Sequence, residues 1–189
     1  MKKSITLLIL HIGLILPLFA LNETDFTVYR DDSYDFSFHY PKSWARVEAT
    51  HKQTRFKAVS ESGNGSEDVS INAIPNPQRK GSPPSAHIAW TSSNPEAMVE
   101  VMKKNIPSAV LVAHGKTKLS NQDAYYIVVD YTYEAAGYSF EIRQIQYYTG
   151  RDGLNYTITM RSLRSDWKSK ASLFSHLAAR FILHPQLPQ

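Results

Sequence analysis

The chain has 189 residues, no cysteine and a formal net charge of +4 at pH 7. This length is sufficient to bury a core in one domain, and the absence of cysteine excludes disulfides, thiolate zinc sites, cysteine nucleophiles and a lipoprotein anchor. Lys2 and Lys3 lie in an apparent leader, and without them 19 basic residues face 17 acidic ones, a charge of +2. Such a small excess favours neither nucleic acid nor an anionic membrane as a partner.

The first twenty residues have the pattern of a secretory signal peptide. Met-Lys-Lys precedes an apolar run over residues 5–18, and the small residue Ala20 follows. We expect cleavage after Ala20, export to the periplasm or medium of a bacterium, and a single domain over residues 21–189 without stable membrane insertion. An uncleaved anchor is the alternative, although the run is short for a membrane span.

Short alternating runs open the mature chain. Strands are predicted at residues 26–29, 36–40, 56–60 and 69–74. Three carboxylates, Asp31, Asp32 and Asp35, follow the first strand and could invite a cation. They lack the glycine and distal glutamate of a calcium loop, so a solvated turn is predicted. Trp44 is expected to anchor the next turn to the core.

Residues 75–93 are rich in proline and have no clear hydrophobic period. Long irregular loops in compact domains are either mobile or used for binding, and both interpretations stay open here. If this loop contacts a partner, the candidate residues are Gln78, Arg79, Lys80, His87 and Trp90.

A helix is predicted after this loop. Asn94 supplies an N-cap, Pro95 suits the first helical position, and Glu96 is an early acid. The apolar stripe of this helix comprises Met98, Val101, Met102 and Ile106. A strand over residues 109–114 and a turn over residues 120–123 follow.

The segment from residue 124 to residue 161 predicts three antiparallel strands. Alternation places five large side chains on one face of the first strand: Tyr125, Ile127, Val129, Tyr131 and Tyr133. Turns are predicted at residues 134–137 and 150–153, where Gly and Asp allow a positive φ.

After residue 162 the apolar period changes from two to about 3.6, which predicts a C-terminal helix. Its stripe comprises Leu163, Trp167, Ala171, Phe174, Leu177 or Ala178, and Phe181. We expect Ser165 to cap this helix and His184-Pro185 to end it. The stripe should pack on the apolar face of the meander, giving an α+β fold with an antiparallel sheet flanked by helices.

Several of these segments resemble PsbP-like proteins, the extrinsic photosystem subunits and their bacterial and eukaryotic relatives. Residues 34–44, ending Tyr-Pro-Lys-Ser-Trp, resemble the family's first strand and turn, and the resemblance continues through residues 124–128, 144–148, 152–159 and 165–183. It implies an α/β/α sandwich that is usually non-catalytic and acts as an accessory or docking module; one eukaryotic branch binds a small GTPase. No functional residue of the family maps onto a motif sharp enough to transfer.

The sequence offers no pattern for catalysis, a cofactor or a metal. A Gly-x-Ser-x-Gly nucleophile motif, a His-x-x-x-His metal pair and a phosphate-binding glycine loop are all missing. His39 and His114 lie on predicted strands and could meet in space, but ordinary strand positions are favoured. The eleven tyrosines could line a ligand groove or stack on nucleic-acid bases. The favoured interpretation is that they pack side by side on a half-buried sheet face.

The leading hypothesis is therefore an exported, non-enzymatic protein-binding or scaffold module of the bacterial envelope, with a protein partner. The alternative is a small-ligand or lipid carrier with an apolar cavity beneath Trp167 and Phe174, between the sheet and the C-terminal helix. A third and weaker hypothesis is an enzyme whose catalytic residues are distant in the sequence and come together only in the folded structure.

Overall fold

A computed structural model describes residues 23–60, 67–75, 94–151 and 153–185. The predicted signal peptide and the five candidate loop residues, Gln78, Arg79, Lys80, His87 and Trp90, lie outside the described residues. A 3-10 turn at Glu23–Asp25 begins this part of the chain. The strands are β1 Phe26–Asp31, β2 Phe36–Pro41, β3 Trp44–Arg46, β4 Thr54–Ser60, β5 Asp68–Pro75, β6 Val110–Leu119, β7 Gln122–Ala135, β8 Tyr138–Arg151, β9 Leu154–Leu163 and β10 Phe181–Leu183. The helices are α1 Pro95–Lys103 and α2 Trp167–Ala179.

These strands form two sheets. The larger has seven strands in the order β3-β4-β5-β9-β8-β7-β6, and the smaller has three in the order β1-β2-β10. Every neighbouring pair is antiparallel. The predicted α+β class with antiparallel strands flanked by helices is confirmed.

Two-residue turns close the hairpins around β7. Ser120 and Asn121 have φ values of 50° and 62°, and Ala136 and Gly137 have φ values of 51° and 81°. Positive φ at both central positions is the geometry that matches the right-handed twist of paired strands. Asn and Gly tolerate it readily, whereas Ala136 is held there against its preference.

The first core lies between one face of the large sheet, the small sheet and α2. Its centre is a group of aromatic rings from three elements: Phe36 on β2, Tyr156 on β9 and Phe181 on β10. Their ring centroids lie 5.5 to 6.1 Å apart, and each ring is at most 1% exposed. Burying each of these side chains contributes about 2 kcal/mol or more.

The second core lies on the opposite face of the large sheet, under α1. Four side chains of the predicted β7 face belong to it: Tyr125, Ile127, Val129 and Tyr131. Helix α2 contacts β9, β2 and β10 on the other side. The expectation that the C-terminal helix packs on the meander therefore holds for β9, but the apolar face of β7 is covered by α1 instead.

The C-terminal helix differs from the prediction at both ends. It begins at Trp167 with Asp166 as N-cap, so Leu163 belongs to β9 and Ser165 is not the cap. It ends at Ala179, and Phe181–Leu183 form β10, which pairs with β2. The prediction that His184-Pro185 ends the helix is wrong, because Phe181 enters the core from a strand.

The solvated turn predicted after β1 is present over residues 32–35, where Asp32 is exposed, but the first of the three carboxylates, Asp31, is buried. Asp31 is 5% exposed and accepts hydrogen bonds from the backbone N–H of Ser33 and Tyr34. Arg55 Nε donates to its second carboxylate oxygen at 2.9 Å. The carboxylate thus both shapes the β1–β2 turn and ties it to β4.

Candidate functional site

The far end of the β7–β8 hairpin, residues 132–141, extends past the neighbouring strands, and we call it the hairpin tip. Pairing of β6 with β7 ends at Val110 and Asp130, and pairing of β9 with β8 ends at Leu163 and Ile142. Beyond these residues β7 and β8 form strand pairs with each other, and the Arg164 backbone N–H still donates to the Glu141 carbonyl at the base of the tip. The tip is therefore a two-stranded projection beyond the ends of the neighbouring strands of the seven-stranded sheet.

One face of the hairpin tip is aromatic and exposed. Tyr133 pairs with Phe140, and Ala135 pairs with Tyr138, so the three rings lie on the same face. Tyr133 is 53%, Tyr138 70% and Phe140 37% exposed, and the rings of Tyr138 and Phe140 lie 6.4 Å apart. Large apolar side chains grouped in solvent are typical of an interaction surface.

The opposite face of the tip's base carries charges that neutralise one another. Arg143 donates two hydrogen bonds to Asp130, at 2.6 and 2.7 Å, and these raise the pKa of the Arg143 guanidinium. Arg164 lies 3.5 Å from Glu141 and 3.9 Å from Asp130. The charged face therefore has its own partners, while the aromatic face is open.

Ser108 anchors the tip where it leaves the sheet. The backbone N–H of Thr132 donates to Ser108 Oγ at 2.9 Å, and Ser108 Oγ donates to the Thr132 carbonyl at 3.3 Å. The Thr132 hydroxyl in turn donates to Glu141 Oε1 at 3.0 Å across the hairpin. These bonds fix the direction of the two strands, so that the aromatic face is presented in a defined orientation.

A buried acid elsewhere on the large sheet is already committed to a structural pair. Asp68 on β5 is 7% exposed, and Arg161 Nε on β9 donates to its carboxylate at 2.5 Å. Burial raises the pKa of the Asp68 carboxyl, and the Arg161 guanidinium opposes this effect. A carboxylate enclosed in this way bridges two strands and is poorly placed to exchange protons with a substrate.

The histidines in the described ranges are dispersed in the fold. His39 lies on β2 of the small sheet and His114 on β6 of the large one, so the structure does not bring them together. His114 Nδ1 is hydrogen-bonded to the Tyr125 hydroxyl, and His176 Nε2 accepts from Arg180. Within the described residues, no three His, Asp or Glu side chains gather in a way that could hold a metal ion.

One serine and one histidine meet, but in a structural role. His184 Nε2 lies 2.9 Å from Ser37 Oγ, and the backbone N–H of His184 donates to the Asp35 carbonyl. Ser37 is 4% exposed on the central strand of the small sheet. A nucleophile must reach its substrate, so this contact closes β10 onto β2 instead of forming a catalytic pair.

The hairpin tip was not singled out by the sequence analysis, which placed Tyr133 with the buried face of β7. Only the strand lengths in the structure reveal it: β7 and β8 each have 14 residues, whereas their neighbours β6 and β9 have 10. The part of β7 and β8 that extends beyond these shorter neighbours has no strand beside it, and most of its side chains are exposed. In addition, no helix in the described ranges is long and apolar enough to span a membrane.

Comparison with known families gives a clear result. The PsbP family profile matches residues 24–182, which is most of the chain. The chain belongs to the PsbP family. This membership confirms the resemblance seen in residues 34–44 and in the second half of the sequence. A search of curated protein sequences finds no significant match.

Solved structures share the PsbP fold at low identity. CyanoP, the cyanobacterial PsbP of Synechocystis sp. PCC 6803, is 15% identical with a TM-score of 0.58, over 91% of this chain and all of that one. A protein of Bacteroides thetaiotaomicron is 14% identical with a TM-score of 0.52, over 86% of this chain and 50% of that one. The Ran-binding protein Mog1p of Saccharomyces cerevisiae is 7% identical with a TM-score of 0.52, over 84% of this chain and 95% of that one. At such low sequence identity these structures establish a shared fold, but not a shared function.

Proposed function

We propose that residues 21–189 form one exported, non-enzymatic protein-binding domain of the bacterial envelope, released when the signal peptide of residues 1–20 is cleaved. The observation that carries this proposal is the exposed aromatic face of the hairpin tip, made by Tyr133, Tyr138 and Phe140. The leader pattern supports export. Membership of the PsbP family, with its accessory and docking modules, supports a binding role.

The composition of the hairpin tip suits a protein partner. Tyrosine and phenylalanine are enriched at interfaces because they bury a large area with few rotatable bonds, and the Tyr hydroxyls can donate a hydrogen bond at the rim. The charged residues at the base already pair with one another. The partner surface is therefore expected to be apolar, with hydrogen-bond acceptors opposite Tyr133 and Tyr138.

The buried polar groups support a non-enzymatic role. Asp68 is bound to Arg161 between two strands, and Ser37 with His184 closes the small sheet. In both cases the side chains that chemistry would need are used to hold strands together. The fold relatives extend this view by analogy: Mog1p is described as Ran-binding, and its shared fold is compatible with a docking role.

The carrier alternative would need space between α2 and the sheet. Phe174 is 1% exposed in the first core, and its ring lies 5.6 Å from that of Trp167. Protein side chains thus occupy the position where an apolar ligand would lie. Among the described residues, a lipid or other small ligand beneath Phe174 would have to displace side chains of the first core.

Affinity capture from envelope extract tests the proposal. The tagged mature protein is compared with the triple variant Tyr133→Ser, Tyr138→Ser, Phe140→Ser. The control is Val28→Ser, which removes an apolar side chain on β1 that is 55% exposed, similar to Tyr133. We expect one partner to be retained by the wild type and the control at a defined stoichiometry.

The triple variant should lose that partner while its circular dichroism spectrum and melting temperature stay close to those of the wild type. Equal capture by the triple variant and the wild type would contradict the assignment to the hairpin tip. A monomer without any partner in gentle extraction would contradict the proposed function itself.

A further inference from the structure

The aromatic face of the hairpin tip is electrically neutral. Its four residues are Tyr133, Ala135, Tyr138 and Phe140, and none of them carries a charge. Alternation along the two strands places the glutamates of the tip on the opposite face. Charged side chains of a partner would lose hydration on the aromatic face without gaining an ion pair, so the occupant of this face is expected to be neutral.

The backbone edges of the hairpin tip are occupied at its base. On the β7 side, Ser108 Oγ bonds both the N–H and the C=O of Thr132. On the β8 side, the Arg164 backbone N–H donates to the Glu141 carbonyl. An added β-strand would begin to pair with the tip at these groups. An occupant is therefore expected to lie across the side chains of the aromatic face, where the backbone of the tip offers no acceptor to its N–H groups.

The exposed area of the aromatic face is small. Tyr133, Tyr138 and Phe140 are 53%, 70% and 37% exposed. Because a fully buried aromatic side chain covers about 200 Å², the three exposed parts together offer about 300 Å². A standard interface between two folded domains takes about 800 Å² from each of them. The aromatic face therefore fits a short linear segment of a partner better than the surface of a folded domain.

The polar groups of the aromatic face are the hydroxyls of Tyr133 and Tyr138. Neither makes a hydrogen bond to another residue in the described ranges. A segment that supplies carbonyl acceptors but few N–H donors would satisfy these hydroxyls without leaving donors of its own unpaired. Proline has this combination, because it keeps its carbonyl and has no backbone N–H. Proline-rich chains adopt the polyproline II helix, whose carbonyls make no internal hydrogen bonds.

We infer that the aromatic face binds a short proline-rich segment of the protein partner in the polyproline II conformation. Its pyrrolidine rings pack on Tyr138 and Phe140, and one of its carbonyls accepts from the Tyr138 hydroxyl. The centroids of these two rings lie 6.4 Å apart, and two residues of a polyproline II helix advance about 6.2 Å, so one segment reaches both rings. The inference rests on the proposed function, since it specifies the chemistry of the partner at the hairpin tip.

Fluorescence anisotropy with a defined probe tests the inference. The probe is the labelled peptide Gly-Pro-Pro-Leu-Pro-Pro-Leu-Pro-Pro-Gly, and its counterpart, the alanine peptide, has Ala in place of every Pro. The protein is compared with Tyr138→Ser, which removes both ring and hydroxyl, and with Tyr138→Phe, which removes the hydroxyl alone. The control is Val28→Ser on β1 of the small sheet. Melting temperatures establish that each variant folds.

We expect the proline peptide to bind and the alanine peptide to bind at least about tenfold more weakly, because the flexible alanine chain loses more conformational entropy and brings unpaired N–H groups. Tyr138→Ser should lose about tenfold or more in affinity for the proline peptide. Tyr138→Phe should lose about threefold or more, the effect of one neutral hydrogen bond. Val28→Ser should change the affinity less than about twofold, and salt should have little effect because no ion pair forms.

Three results would overturn the inference. The first is a proline peptide that does not bind, or that binds no more tightly than the alanine peptide. The second is an equal loss of affinity in Tyr138→Ser and Val28→Ser, and the third is full affinity in Tyr138→Phe. If envelope capture retains a partner through the hairpin tip while the proline peptide does not bind, the proposed function stands and this inference fails, so the two failures are distinguishable.

Discussion

The inner and outer parts of the β7–β8 hairpin have the same alternating pattern but opposite surroundings. In the inner part, residues 122–131 and 142–151, one face belongs to the core under α1 and the other adjoins the core under α2. In the outer part, the hairpin tip, Tyr133, Tyr138 and Phe140 face solvent. The same types of side chain therefore stabilise the fold in one half and remain available in the other.

This difference shows that alternation in a strand predicts which residues share a face, but not whether another element of the fold covers that face. Tyr131 is 4% exposed and Tyr133, two residues later on the same face, is 53% exposed. Between them the hairpin passes the ends of β6 and β9, so its neighbours change while its sequence pattern does not. Substitutions on the two sides of this boundary should separate stability from binding.

The largest expected effect is in the inner part. Ile127→Ala removes a fully buried side chain from the second core and should lower the free energy of unfolding by about 3 kcal/mol. Phe140→Ala in the tip is the matched control and should cost less than about 1 kcal/mol. Urea denaturation measures both; similar losses would show that the tip is as much part of the core as the inner strands are.

An intermediate effect is expected at the boundary between the two parts. Asp130→Asn removes the charge that accepts two hydrogen bonds from Arg143 and should cost about 2 kcal/mol. Asp130→Asn combined with Arg143→Gln should cost less than the sum of the two single changes, because their interaction is lost only once. Strict additivity in this double-mutant cycle would refute the coupling.

Alkaline pH should affect the inner part through its tyrosines. Burial raises the pKa of the hydroxyls of Tyr125, Tyr131, Tyr147 and Tyr148 above the ordinary value of 10.0. The folded state thus holds these protons more tightly than the unfolded state. Stability is fully present below about pH 10 and is lost as pH rises from there through the folded-state pKa values.

Tyr148→Phe removes one of these groups and should reduce the loss of unfolding free energy between pH 10 and pH 11 by about 1 kcal/mol. Denaturation at a series of pH values measures the slope. A slope that Tyr148→Phe leaves unchanged would mean that Tyr148 ionises in the native protein as readily as in the unfolded chain.

A smaller effect is expected at the turn of the tip. Gly137 has a φ of 81°, and a Cβ added there would meet no atom within 4 Å. Gly137→Ala should therefore cost about 1 kcal/mol from backbone strain alone. Gly115 offers the contrasting case, because a Cβ there would lie 3.0 Å from the Tyr126 ring. A Gly137→Ala variant as stable as the wild type would show that the turn can relax.

The smallest effect on stability is expected from the tip residues that carry the proposed function. Tyr138→Ser alone should change the free energy of unfolding by less than about 0.5 kcal/mol, because the side chain is already mostly in solvent. A loss of several kcal/mol would mean that the aromatic face supports the fold.

Much of this architecture follows from local patterns in the sequence. Alternation predicted the strands of the meander, Asn-Pro-Glu predicted the start of α1, and residues 34–44 carried the family resemblance that the PsbP profile confirms. These features depend on neighbours within a few positions. They are therefore visible without knowledge of the fold.

The features that the sequence did not predict depend on contacts between residues that are distant in the sequence. Asp31 is buried because Arg55, 24 positions away, reaches it, and β10 forms because β2 offers a free edge to Phe181–Leu183. Helical period alone could not distinguish Phe181 on a strand from one more helical turn. The exposure of Tyr133 depends on where β6 and β9 end.

The central claim is that the hairpin tip contacts a protein partner, and site-specific photocrosslinking in living cells tests it most directly. A benzophenone amino acid replaces Tyr138 in one variant and Lys168, exposed on α2, in another. Our account predicts one defined crosslinked protein from position 138 and none of that mass from position 168. The same adduct from both positions, or an adduct from position 168 alone, would contradict it.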